Sequence, residues 1–188
     1  MTAFAPLECE GFRIVPFEER HLTERYVAWL NDPETVRYSE QRHYAHDAVS
    51  CRSYFVSMQN NACLFVAIEM HDPELGHVGN MSAAIDHANR SADLSVIIGE
   101  KRIWGTGVAS KAWVSMIDEL LHLYALRRVT AGTMSVNVPM IKLMERSGMQ
   151  IEAVRPHHFL WEGQEVDLVL AIKHARQSES TDLGNEGN

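Results

Sequence analysis

No stretch of this 188-residue chain stays apolar for the ~18–20 residues that a membrane-spanning helix needs. Its opening, MTAFAPLECEG, has neither the basic start nor the apolar centre of a secretion signal, so a cytoplasmic location is expected. Cysteine is scarce. Cys9, Cys51 and Cys63 are odd in number and lack C-x-x-C spacing, so neither a disulfide framework nor a cysteine-rich zinc site is implied. Histidine is frequent, at ten, but there is no H-E-x-x-H, and His43, His46, His157 and His158 have no acidic ligand at metal spacing. No metal is expected. Positive charge is also short: 17 Lys and Arg against 25 Asp and Glu leave a net charge of −8, the wrong sign for gripping polymer phosphates. Neither nucleic acid nor a membrane is an expected partner. Internal repeats and low-complexity linkers are missing too.

What is present is the composition of a globular protein, 46% hydrophobic and 22% charged, at a length that suits one domain. A single domain over residues 1–175 is expected, with 176–188, polar and free of aromatics, as a disordered tail. After a short strand near 12–15, Leu22, Tyr26, Trp29 and Leu30 recur at helical spacing within 18–31, and Asn31-Asp32-Pro33 ends the run. A second helix is predicted over 48–59, capped by Asp47 and carrying Cys51, Phe55 and Met58 on one stripe. Residues 62–70 alternate and read, with the turn HDPELG and 77–85, as a hairpin, and 92–98 adds a further strand. Ala109, Ala112, Trp113, Met116, Ile117, Leu120, Leu121 and Tyr124 mark a strong helix. A strand over 127–134, a helix over 137–147 between Asn137 and Gly148, and two strands around Glu162-Gly163 complete the chain. This order predicts an α/β or α+β sheet with helices on both faces.

One segment carries chemistry. Ser95 to Ser110 reads as a strand that passes through a glycine-bearing loop straight into a helix, an anion-binding layout. Free amides at a helix start hold about +0.5 charge, and glycines let phosphate oxygens approach the backbone. Arg102 adds charge. The spacing R-x-x-G-x-G of Arg102, Gly105 and Gly107 is neither a P-loop nor the longer dinucleotide fingerprint.

This spacing resembles the acetyl-CoA pyrophosphate loop, [QR]-x-x-G-x-[GA], of the GNAT (GCN5-related N-acetyltransferase) superfamily. A second segment agrees: Asn137-Val-Pro-Met140 through Gly148-Met, 35 residues after Arg102, is similar to the family's later N-x-x-[AS] helix. Arg13-Ile-Val-Pro-Phe, Trp29-Leu-Asn-Asp-Pro, Gly76-His-Val-Gly-Asn and Val166-Asp167-Leu-Val-Leu resemble the branch of RimJ/RimL-type ribosomal-protein alanine acetyltransferases and related amino-sugar enzymes. The resemblance implies a GNAT-like acyl-CoA N-acyltransferase fold, a mixed and mostly antiparallel sheet with helices on both faces. It also implies an acetyl-CoA-dependent N-acetyltransferase acting on a primary amine, with a protein N-terminus the leading acceptor, an amino sugar or small metabolite amine the alternative, and a monomer or homodimer as the working unit. A non-catalytic acyl-CoA-binding module is the competing class.

On this resemblance, the main chain at Ser95 and Ile97 pairs with the pantetheine arm. Arg102, Gly105, Thr106, Gly107, Val108 and Ala109 take the pyrophosphate, and Asn137 lies on the CoA side. The family's tyrosine seven residues after that asparagine is Met144 here, so a tyrosine acid at that position is excluded. Amine acetylation needs a neutral nucleophile, so a base is expected near the start of the central strand. Asp93, nine residues before Arg102, is the first candidate, and Glu40, where relatives line the acceptor pocket, is the second. His87, His157 and His158 are weaker. Glu100 is read as structural, and no covalent acetyl-cysteine is expected, because Cys51 and Cys63 lack a partner base.

Overall fold

The computed structural model describes residues 4–61 and 63–175. The predicted strand start at Ala62 and the tail expected at 176–188 lie outside the described residues. The elements in order are β1 (Leu7–Cys9), β2 (Phe12–Pro16), α1 (Glu24–Asn31), α2 (Ala48–Asn60), β3 (Cys63–Met70), β4 (His77–Asp86), β5 (Ser91–Ile98), α3 (Val108–His122), β6 (Arg128–Met134), α4 (Val138–Arg146), β7 (Gln150–Trp161) and β8 (Gln164–His174). The strands form one sheet in the order β1-β2-β3-β4-β5-β6-β8-β7, in which every neighbouring pair is antiparallel except β5 and β6. This is the mixed, mostly antiparallel sheet that the resemblance implied.

Side chains alternate across the sheet and divide the core in two. Phe12, Ile14, Val66, Ile68, Met81 and Leu94 face α3 and α4, where Trp113, Met116, Ile117, Leu120 and Met144 are fully buried. Cutting Trp113 back to alanine costs ~3–5 kcal/mol, from lost burial and the cavity left behind. On the opposite face, Val15, Phe17 and Ala67 pack beneath Tyr26, Trp29 and Leu30 of α1 and Cys51 and Phe55 of α2.

Local chemistry sets most element ends. The Asp47 and Ser50 side chains bond each other's backbone amides in a capping box that starts α2. Asn137 caps α4, and Gly148, at φ +76°, ends its last turn. Glu162 and Gly163 both take positive φ, the conformation a two-residue hairpin turn requires, and join β7 to β8. The helix expected over 18–31 begins later. Thr23 is extended and its hydroxyl accepts from the Tyr26 amide, so 19–21 form a separate 3₁₀ turn. The short β1 carried no periodic signal, since three residues cannot show one.

Candidate active site

The parallel pair is where the sheet parts. β5 and β6 are in register only from Ser91 with Arg128 to Asp93 with Thr130. Beyond that point β5 stays with β4 as far as Ile98, and β6 stays with β8 as far as Met134. Among the described residues the facing edges of 94–98 and 131–134 therefore have no strand between them, and an extended ligand could pair with them as an added strand. A cavity of about 330 Å³ fills the opening. Ser95, Ile97 and Thr133 line it from the strands, Asn137 and Met140 from α4, and Glu40 from a 3₁₀ turn over Glu40–His43. Phe159 of β7 closes one side. β7 is tied to the segment after α1 by the Trp161 indole donating to the Arg37 carbonyl and by Arg42 donating to the Leu160 carbonyl.

The glycine loop leaves the open end of this cleft. A Cβ on Gly99 would fall 1.9 Å from the Trp29 ring, so only glycine lets α1 close over the end of β5. Glu100 then caps the turn Lys101–Ile103, and the Trp104 indole donates to the Ile98 carbonyl, fixing the loop to the strand. Gly105 and Gly107 have φ of +78° and +90°, and a Cβ on either would meet nothing within 4 Å. Both conditions suit a ligand lying against bare backbone. Gly107 is the N-cap of α3, whose first amides, through Val108 and Ala109, have no intrahelical acceptor. Thr106 turns its hydroxyl inward onto the Ile103 carbonyl, at 2.7 Å, and so keeps its backbone in place. Arg102, expected to add charge at the loop, is paired in this structure. Its guanidinium makes two hydrogen bonds to the Glu100 carboxylate, at 2.9 and 3.1 Å, because Glu100 is held within reach by its capping role.

Asp93 occupies the last paired position before the strands part, and the Thr130 hydroxyl donates to its carboxylate at 2.9 Å. The side chain is open to solvent on one side, yet desolvation by the surrounding protein raises its pKa against the lowering effect of Thr130. It lines neither the cleft nor the second cavity described below. Glu40 does line the cleft, with its carboxylate bonded to Arg42 at 2.9 Å. Asn137 is an N-cap as well as a lining residue: its oxygen accepts from the Met140 amide and its amide nitrogen donates to Thr133. Met144 is fully buried against the main core. His87, His157 and His158 line neither opening, and His157 faces Glu165 at 3.0 Å on the surface.

A second cavity, of about 410 Å³, lies between β4 and β5 on one side and α1, α2 and the segment between them on the other. Ser95 and Ile97 line it as well as the cleft, so the two spaces meet along β5. Asn80 and Ser82 come from β4, Tyr54 and Cys51 from α2, and His46 from the connecting segment. Ser82 and Ser95 share a hydrogen bond of 2.7 Å. Burial raises both the Tyr54 hydroxyl and the Cys51 thiol, so neither is an anion near pH 7. Among the described residues no group of His, Cys, Asp and Glu could hold a metal ion, and no helix is long and apolar enough to cross a membrane. Asn80, Ser82, Tyr38 and Tyr54 escaped sequence reading. Each sits alone in a strand, loop or helix, and only Asn80, a polar side chain inside a mostly apolar strand, left a trace.

A cleft between parting parallel strands, opening on a glycine loop at a helix start, suits an extended ligand that ends in an anionic group. The model of the acetyltransferase (GNAT) domain matches residues 12–150, and the chain belongs to that family and is an acyltransferase. No curated protein matches it in sequence. Among solved structures, the spermidine N-acetyltransferase of Vibrio cholerae in complex with CoA and spermine is similar at TM-score 0.79 and 16% identity, over 89% of this chain and 97% of that one. The ribosomal-protein-S5-alanine acetyltransferase of Vibrio fischeri has a TM-score of 0.75 and 15% identity, over 92% and 97%. A microcin C7 self-immunity acetyltransferase in complex with acetyl-CoA and AMP has 0.76 and 17%, over 88% and 93%. At these identities the likeness is one of fold.

Proposed function

We propose that this enzyme transfers the acetyl group of acetyl-CoA to a primary amine, with a protein N-terminal amine as the leading acceptor and an amino sugar or small metabolite amine second. The observation that carries the reading is the cleft between β5 and β6 running into the loop of Gly105 and Gly107. The loop fits a pyrophosphate: two positive-φ glycines face open space beside the free amides of a 15-residue helix. Ser95 and Ile97 hold the pantetheine arm through main chain, and 105–109 with Arg102 hold the phosphates. Asn137 borders the arm from α4. Two structural relatives crystallised with CoA or acetyl-CoA add support.

The acceptor enters from the larger cavity, which meets the cleft at Ser95 and Ile97. Its ammonium loses a proton to Asp93 through water, since the carboxylate lies outside both openings, and the raised pKa of Asp93 brings it nearer to the working pH of a base. The amine nitrogen then attacks the thioester carbon while a strand amide faces the developing oxyanion. The C–S bond breaks, the sulfur takes a proton, and the products are the N-acetyl amide and free CoA thiol. Glu40 lies where it can orient the acceptor at the cleft wall.

Two measurements test this reading. CoA should raise the melting temperature, and acetyl-CoA plus an N-terminal peptide should release free thiol. A chain that neither responds to CoA nor consumes acetyl-CoA with peptides, amino sugars or polyamines sinks it.

A further inference from the structure

Acetyl transfer leaves one feature of the larger cavity without a task. β4 is in register with β3 up to Gly79 opposite Ile68, but the next pair is His77 opposite Glu69, and Val78 is left over. Its carbonyl instead accepts from the amides of both Gly99 and Glu100, at 3.0 Å each. Such a bulge re-aims side chains. In a regular strand residues three apart face opposite ways, yet here His77 and Asn80 share the face covered by α1. His77 Nε2 lies 3.1 Å from the Gly79 carbonyl and 2.7 Å from Asn80 Oδ1.

That pair of contacts fixes the amide. A carbonyl only accepts, so Nε2 carries the proton, and the Asn80 atom facing it is oxygen. The His77 ring is held among Phe17, His21, Tyr26 and Trp29, with centroids 4.9 to 6.2 Å away. Burial pushes it down to about 4, so it is neutral near pH 7. Asn80 Nδ2 donates to no group among the described residues, and it is not one of the sealed polar atoms without a partner. Asn80 is only 4% exposed, and what it exposes lines the cavity. A directed amide donor therefore opens on the acceptor space.

The rest of the lining narrows what it meets. Among the described residues no Asp, Glu, Lys or Arg lines this cavity, and its one imidazole, His46, faces the Gln41 carbonyl at 3.4 Å. A polyamine offers cationic donors and calls for carboxylates, while a free carboxylate or phosphate calls for a cation. A neutral donor matches a neutral carbonyl. We propose that Asn80 is a specificity-determining residue whose Nδ2 binds the first carbonyl oxygen of a peptide-like acceptor, with His77 as the positioning residue that orients its amide. This rests on the amine acetyltransferase reading above.

The test compares kcat/KM by thiol release for an alanine-initiated tripeptide, a primary amine of similar size without the carbonyl, glucosamine and spermidine, with CoA-induced melting shifts measured alongside. The native enzyme should favour the tripeptide over the carbonyl-free amine by roughly 10–100-fold. Asn80→Leu should erase that preference, lowering kcat/KM for the tripeptide far more than for the carbonyl-free amine, with the CoA shift retained. Asn80→Asp, close to isosteric, should likewise penalise the tripeptide and improve spermidine, and it serves if the leucine variant does not fold. His77→Phe should raise KM for the tripeptide more than it lowers kcat, and His77→Gln, which can still donate, should restore it. Equal losses on both amines in Asn80→Leu, or native turnover of glucosamine or spermidine with none of the tripeptide, overturn the proposal and leave acetyl transfer standing. Absence of any CoA shift or acetyl-CoA consumption overturns both.

Discussion

The cleft between β5 and β6 and the cavity above β4 and β5 share Ser95 and Ile97 but are made in different ways. The cleft is main chain: two strand edges left unpaired after Asp93, two positive-φ glycines and a helix start. The cavity is side chain, gathered from β4, β5, α1, α2 and the loop between the helices. A main-chain site depends on where the chain can turn, and few residues are permitted there. A side-chain site accepts many residue types, so it can be changed without disturbing the sheet. The first is suited to a constant ligand and the second to a variable one.

The strongest way to break that contrast is at Gly107. Valine there must adopt a left-handed backbone, strained for a β-branched residue, and its side chain would fill the open space before α3. At 100-fold excess over Kd, CoA should stabilise the native protein by ~2.7 kcal/mol, roughly 5–10 °C in Tm, and Gly107→Val should lose that shift. A normal shift in the variant would mean that the loop is not the anchor.

Next comes Asp93, at the junction where the sheet opens. Asp93→Asn should lower kcat by ~10²–10⁴ and leave the CoA shift intact. A base works only when ionised, so the native rate should fall as pH drops through the raised pKa of this carboxyl, and the variant should lose that limb. Near-normal kcat in the variant removes Asp93 from the mechanism.

Glu69 probes the footing beneath the cavity. It is buried and bonded by His21, Arg13 and Arg20. Burial alone would raise its pKa, but these donors outweigh it and bring it down to about 2. A depressed carboxylate stabilises the fold above its unfolded pKa and loses that contribution as pH falls towards the folded one. Glu69→Gln should therefore cost ~2 kcal/mol at pH 7 in urea unfolding, shrinking between about pH 4.5 and 2. An unchanged difference at pH 3 contradicts the pairing.

The smallest effect is expected at the exposed cleft wall. Glu40→Gln should raise the acceptor KM by only a few-fold, about 1 kcal/mol or less, with kcat and CoA binding nearly unchanged. A large fall in kcat would move the base from Asp93 to Glu40.

Elements with their own local reason were readable in advance. The α3 stripe from Ala112 to Leu121, the Asp47 and Asn137 caps, the Glu162-Gly163 turn and the alternation in β3 each fall within one window of sequence, and each is where the spacing placed it. The 3₁₀ turn before α1 was not, because the Thr23 hydroxyl caps a helix in the middle of an unbroken apolar period. Within the site, Arg102, Gly105 and Gly107 were legible as a spacing, but the Glu100 carboxylate that holds Arg102 was not assigned to it.

Sequence by itself pointed to the class of this protein through motifs that resemble those of its family, and these are local: two glycines and a helix start must be contiguous to form an anion-binding turn. Only the tertiary structure decided the larger cavity. A bulge at Val78 set by pairing with β3, a histidine packed by four aromatic rings, and an amide turned towards a cavity roofed by α2 arise from segments far apart in the chain. Side-chain direction in a strand follows register, and register is settled between strands rather than within one.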